Sequence, residues 1–213
     1  MPRYLVPLAV YLHTRRGACT GISFIDSTSL ALWHPARIQQ HRVFQHRVFA
    51  VDARRGKTSV GWFYGFKLHL VVNDRGELLP FCLTPGNLYD RKPVPLLVRR
   101  LFARLFGDKG SISQPLAQWL FLAQGLRCIT QLRKNMRNHL IEFSDRLLLR
   151  NRALIETIID QLKNVCQSEH SRHRSPFHFL VHLLAGLIAY CHHPKKPSLD
   201  LAAHPLIADL IQN

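Results

Sequence analysis

The feature that most restricts the fold of this 213-residue chain is the run Val60–Val72, VGWFYGFKLHLVV. Aromatic and β-branched residues dominate it and no helical period runs through it, so it predicts a strand. Asn73-Asp74-Arg75-Gly76 supplies the turn, and Leu78–Leu83 returns as the hairpin partner. A chain carrying such a hairpin must build an antiparallel sheet edge, and every other segment has to be placed against it.

Residues 1–20 read as a helix ending near Gly17, with an abrupt start that reads as a truncation. Ile22–Ile25 predicts a short strand stopping at Asp26, and His34–Thr58 a polar, basic loop in which His41–Phe44 recurs as His46–Phe49. Beyond the hairpin, Asn87 or Asp90 is expected to cap a helix from about Pro93 to Leu105, with Val94, Leu97, Val98, Leu101 and Leu105 inward. Leu105-Phe106 predicts a brief strand ending at Gly107-Asp108-Lys109-Gly110. Gln114–Gln124 predicts a helix stopped by Gly125, and Leu126–Leu132 a further strand. Ser144–Gln167 carries Leu148, Ile155, Ile158, Ile159, Leu162 and Val165 at helical intervals, which predicts one amphipathic helix. Phe177–Tyr190 predicts the last helix, and the chain after Pro194 reads as loosely held. A hairpin-led sheet that gains parallel strands through helical crossovers is an α/β fold with a mixed sheet flanked by helices, in a ribonuclease H-like order.

Lys plus Arg number 29 against 13 Asp plus Glu, a net charge of +16 spread along the chain. That excess points to a polyanionic partner, nucleic acid before an anionic membrane. The five cysteines form no CxxC pair, which argues against a zinc ribbon or a disulfide framework and fits a reducing cytoplasm. The longest apolar stretch, Phe177–Cys191, is too short to span a bilayer, and no small-residue cleavage site follows the N-terminal apolar run.

Three acids stand out. Asp26 falls on the first strand, Asp108 just past the fourth, and Glu156 on the helix after the fifth, positions that this topology brings to one point. At about 100° per residue, Arg152, Glu156 and Lys163 lie within roughly 40° of one another on the polar side of that helix. Phosphodiester cleavage needs a nucleophilic oxygen activated and a leaving oxygen stabilised, which a pair of Mg²⁺ ions held by a few carboxylates does. Three clustered carboxylates repel one another unless a cation joins them. Each acid also has a plainer reading: Asp26 before Ser27-Thr28 as a turn cap, Asp108 as a turn residue, Glu156 as surface decoration. Arg152 and Lys163 are candidate phosphate contacts, as are Lys109 beside Asp108 and Arg133, Lys134 and Arg137 between strand and helix.

The runs FIDSTSLALWH, GKTSVGWFYGFKLHLVVNDRGELLPFCLTPGNLYDRKPVP, LFGDKGSIS, RALIETIIDQLKN and HRSPFHFLVHLLAGLIAYC together resemble a DDE transposase of bacterial insertion sequences, of the insertion sequence 982 family. The resemblance runs from about Leu5 to Leu199. It implies that Asp26, Asp108 and Glu156 are the catalytic, metal-binding acids, served by two Mg²⁺ ions with Mn²⁺ able to substitute. It further implies DNA partners (the element's terminal inverted repeats and target DNA), a homodimer in the active complex, and a bacterial, cytoplasmic, nucleoid-associated protein. By the same resemblance residues 1–20 are an N-terminal helical remnant, 21–192 the catalytic domain and 193–213 a tail. The family pattern Tyr-x2-Arg-x3-Glu-x6-Lys maps onto Arg152, Glu156 and Lys163, with Leu149 in the tyrosine's place and Ser111 replacing the tyrosine usual after GDKG. The several dozen helical residues that usually lead such proteins have no counterpart here, and the HRVF duplication lengthens the loop before Gly56.

Several signals are set aside. Gly56-Lys57-Thr58 echoes a phosphate-binding loop, but Val51 occupies the first glycine's place. His170, His173, His192 and His193 lack cysteines at ligand spacing. Trp62, Phe63, Tyr64 and Phe66 read as core, and Asp90 as a helix cap. The functions left standing are a DNA-strand transferase, a catalytically inactive DNA-binding remnant, and a simple metal-dependent nuclease.

Overall fold

The computed structural model describes residues 2–33, 53–58, 61–130, 142–169 and 175–200. Its centre is a six-stranded sheet built on β1 (Ile22–Trp33) and β3 (Trp62–Asn73), twelve residues each and antiparallel. The outer edge of β3 is shared end to end by β2 (Arg54–Lys57) and β4 (Leu78–Pro85). On the other side of β1 run β5 (Arg104–Gly107) and then β6 (Arg127–Thr130), both parallel to their neighbours. The sheet is therefore mixed, as the sequence predicts.

Alternation along the two long strands sorts their side chains onto two faces. Phe24, Leu30, Phe66, Leu68, Leu70 and Val72 face one core, covered by α5 (Ala153–Asn164), α6 (Pro176–Cys191) and, against α6, α1 (Pro2–Thr14). Phe24 stacks on Phe106, and Phe66 on Phe179 of α6, with centroids 5.4 and 5.2 Å apart. The opposite face buries Ile25 and Val71 against Val94, Leu97, Val98 and Leu101 and against Leu120 of α3 (Gln114–Gln124). Gly125, at φ 68°, ends α3 in the left-handed conformation expected of it.

The structure corrects several expectations. β1 does not stop at Asp26 but runs seven residues further, to Trp33. Its Ser and Thr residues suit a strand as well as a turn, and β3 offers partners throughout. The helix expected from Pro93 to Leu105 is one turn, α2 (Val94–Leu97), without a side-chain cap. Ala103, at φ 61°, then turns the chain so that Leu105 is buried as a sheet residue opposite Ser23. Asp90, expected as a cap, instead pairs with Lys67 at 2.9 Å, because a lysine in a buried strand needs a counter-charge.

The helix expected over Ser144–Gln167 is two, α4 (Phe143–Arg150) and α5, joined at Asn151-Arg152 by tighter hydrogen bonds to the third residue back. Arg54–Lys57 is strand rather than loop, whereas the HRVF duplication lies outside the described residues. Trp62, expected in the core, is 54% exposed, while Phe63, Tyr64 and Phe66 are buried. The start of the expected loose tail is pinned, with the Leu199 amide donating to the Asp74 carbonyl at 2.8 Å. Among the described residues no helix is long and apolar enough to cross a membrane.

Candidate active site

The parallel register of β1 and β5 sets Ile25 opposite Gly107, so the next residues, Asp26 and Asp108, follow side by side where β5 ends. Gly107 permits this closeness: a Cβ there would stand 2.8 Å from both Ile25 and Ile112 side chains. The amides of Ser111 and Ile112 donate to the Asp108 carbonyl at 3.0 and 3.1 Å and fold the turn back on itself. Asp26 pairs with Leu70, which puts it on the face covered by α5. That helix buries Leu154, Ile155, Ile158 and Leu162 and leaves Glu156 at its polar side.

Arg152 joins the three acids. Placed at the start of α5, its guanidinium lies 3.8 Å from Asp26, 3.6 Å from Asp108 and 3.9 Å from Glu156. The Arg152 side chain is only 12% exposed, against 51% for Asp108 and 64% for Glu156. These separations exceed the roughly 2.7–2.9 Å of a charge-assisted hydrogen bond, so the attraction is coulombic and loose. The Arg152 Nε is buried with no hydrogen-bond partner among the described residues.

Burial is the main cause that pushes the Asp26 carboxyl up to about 6. The Ser27 amide, donating at 2.8 Å, and Arg152 hold it down, while Asp108 and Glu156 push it further up. Both other acids are thus close enough for Asp26 to feel their charge. Among the described residues, no group of three His, Cys, Asp or Glu side chains is drawn together as a ready-made metal cage. The donor chemistry nevertheless suits a hard divalent cation: three carboxylates converge on one positive group, the Arg152 guanidinium.

The other sequence candidates divide. Lys109 follows Asp108 in the turn and is half-buried. Lys163, expected to reach phosphate from the same helix face, is engaged by Glu169 at 3.0 Å. Arg133, Lys134 and Arg137 lie outside the described residues. On the opposite face of the sheet, His69 is buried and within 2.8 Å of the Thr84 hydroxyl, and burial holds its ring down at about 4. Sequence reasoning missed the role of Arg152 as the hub. The available signals were its place four residues before Glu156, which it shares with many surface pairs, and its match to the arginine of the family pattern, and both were read as a phosphate contact.

Residues 16–176 match the family described as a transposase DDE domain, a span that contains Asp26, Asp108, Arg152 and Glu156. No curated protein matches the chain.

Proposed function

The chain belongs to the transposase DDE-domain family, and from that premise we propose that it cleaves DNA at the ends of a mobile element and joins the freed ends to target DNA. The observation that carries the reading is the convergence of Asp26, Asp108 and Glu156 on Arg152. Domains of this family generally use divalent metals, and here the three acids would hold Mg²⁺ or Mn²⁺. When bound, such ions lower the pKa of water and stabilise the leaving oxygen of a phosphodiester.

The chain's own residues do the rest. Asp26 has to be ionised to contribute an oxygen donor, so protons would compete with the ion for its carboxylate as pH drops below about 6. Asp108 and Glu156, both largely exposed, are free to turn toward an incoming cation. Arg152, Lys109 and Lys163, with Arg133, Lys134 and Arg137, would meet backbone phosphates. In the joining step a 3′-oxygen forms a bond to a target phosphorus while that phosphorus loses its bond to the target strand's own 3′-oxygen. The strand order supports a ribonuclease H-like assignment. The reading extends to a bacterial element of the insertion sequence 982 type, a cytoplasmic, nucleoid-associated protein and a homodimeric working complex.

Purified protein given Mg²⁺ or Mn²⁺ should cut duplexes bearing element ends, and Glu156→Gln should abolish cutting while its circular dichroism matches the parent's. A variant that cuts as well as the parent would remove the site assignment. A second reading, DNA binding without cleavage, draws on the same guanidinium: were it to stay between the acids it would bar divalent ions. Under that reading the parent binds DNA and yields no product with any divalent metal.

A further inference from the structure

We infer that the β2–β3 hairpin is a second DNA-contacting element, in which Arg55 and Lys57 neutralise backbone phosphates and Trp62 stacks on an unpaired base. The inference rests on the DNA-cleavage reading and adds to it a surface remote from the acids.

β2 packs three cations into four residues, Arg54-Arg55-Gly56-Lys57, with no acid among them. The antiparallel register sets Lys57 opposite Trp62 and Arg55 opposite Tyr64, so Arg55, Lys57 and Trp62 share one face. The Arg55 guanidinium carbon lies 4.8 Å, and the Lys57 ammonium 5.6 Å, from the Trp62 ring centroid. Such contacts fix the ring and both cations as one platform. Trp62, the first residue of β3 and beyond its pairing with β1, is 54% exposed.

The platform is built rather than frayed. Ala53 is buried, and Thr58 and Gly61 close the hairpin with amide-to-carbonyl hydrogen bonds of 2.8 and 3.3 Å. A Cβ on Gly56 would collide with the Gly86 carbonyl oxygen and the Phe63 ring, so β2 sits tight against its neighbours.

Its position fits the chemistry. Trp62, Tyr64, Phe66, Leu68 and Leu70 alternate onto one face of β3, and Leu70 is the partner of Asp26. Cover from α6 reaches Phe66 through Phe179, and beyond it Trp62 is open. Measured along the strand, Trp62 is roughly 26 Å from the acid-bearing register, on the same side of the sheet. That span matches roughly eight base-pair steps. Cations interleaved with an exposed ring are the combination by which proteins hold unpaired nucleic acid: charge follows the backbone and the ring meets a base.

The experiment measures binding of labelled DNA by fluorescence anisotropy, without divalent metal and over a salt series, so cleavage plays no part. Two probes are compared, a blunt duplex and the same duplex with a single-stranded tail. Arg55→Gln/Lys57→Gln should flatten the log–log salt slope by about 2, one unit for each lost phosphate contact. Trp62→Ala should weaken binding of the tailed probe roughly tenfold and of the blunt probe much less. Arg55→Lys/Lys57→Arg should bind like the parent, which separates lost charge from a misfolded hairpin. A parent-like slope in the double Gln variant, or parent-like affinity of Trp62→Ala for the tailed probe, would overturn the inference and leave the active-site reading intact. A parent that binds neither probe would overturn both.

Discussion

β5 carries an arginine–carboxylate cluster at each end, and the two are built differently. At its start, Arg104 lies 3.3 Å from Asp145 and 3.6 Å from Glu142, and Arg127 on β6 lies 3.1 Å from Glu142 and 3.6 Å from Asp145. Two cations there face two carboxylates, and the Asp145 side chain is 3% exposed. Just past the other end, one guanidinium faces three carboxylates, two of them more than half exposed. The balanced cluster, buried at Arg104 and Asp145 and half-exposed at Arg127 and Glu142, ties α4 to the sheet. The unbalanced one sets three carboxylates against the Arg152 guanidinium in a chain whose net charge is +16.

The sharpest way to break this comparison is to neutralise one acid in each cluster. Asp108→Asn should cut DNA cleavage by more than about 100-fold, since even residues that merely support metal ligands are worth 10–100-fold. Glu142→Gln should leave cleavage per folded molecule near the parent's, and a gel-based cutting assay on both variants decides the matter. If Glu142→Gln were the inactive one, the two ends would have been assigned the wrong way round.

Next in size is a stability effect confined to the balanced end. Arg104→Ala strips the buried Asp145 of its nearest cation and should cost about 3 kcal/mol in urea unfolding at neutral pH. Burial already pushes the Asp145 carboxyl above its ordinary range. The loss should therefore shrink in acid, where protonation removes the stranded charge. A loss independent of pH would locate the effect in packing rather than charge.

The smallest effect separates two titrations on opposite faces of the sheet. Asp26 rises from 3.8 to about 6 on folding, so the folded state prefers its neutral form and loses stability as pH rises through that interval. His69 falls from 6.5 to about 4, so its folded state prefers the neutral ring and loses stability as pH falls through nearly the same interval. The two slopes oppose, and the metal-free parent should show a flattened profile. Asp26→Asn should melt higher than the parent by an amount that grows between pH 4 and 7. A constant difference would deny that Asp26 is strained by its surroundings.

Much of this frame was legible in the sequence because local chemistry and tertiary position agree. The hairpin at Asn73–Gly76, α3 with its Gly125 stop, and α6 all fall within about two residues of expectation. Misreadings arose where tertiary pairing overrode local pattern. Leu105 fits the apolar side of a helix, yet burial beside Ser23 is available only in a strand. The hydroxyl-rich Ser27–Ser29 imitates a turn, until β3 supplies a ladder for it. The three acids could be picked out as candidates, although Asp26 lies within β1 rather than at its end. What could not be read was the guanidinium among them, or the Arg104–Asp145 pair, because charges distant in sequence announce no partner.

Under the proposed function, a guanidinium lodged among the acids would turn ion loading into an exchange. Arg152, whose Nε has no hydrogen-bond partner among the described residues, would have to leave the acids for them to hold an ion, and a phosphate could receive its guanidinium. DNA that drew the arginine away would free the three acids to hold the ion. By linkage each would then raise the other's affinity by the same factor, and the acids would be armed chiefly where there is a strand to cut.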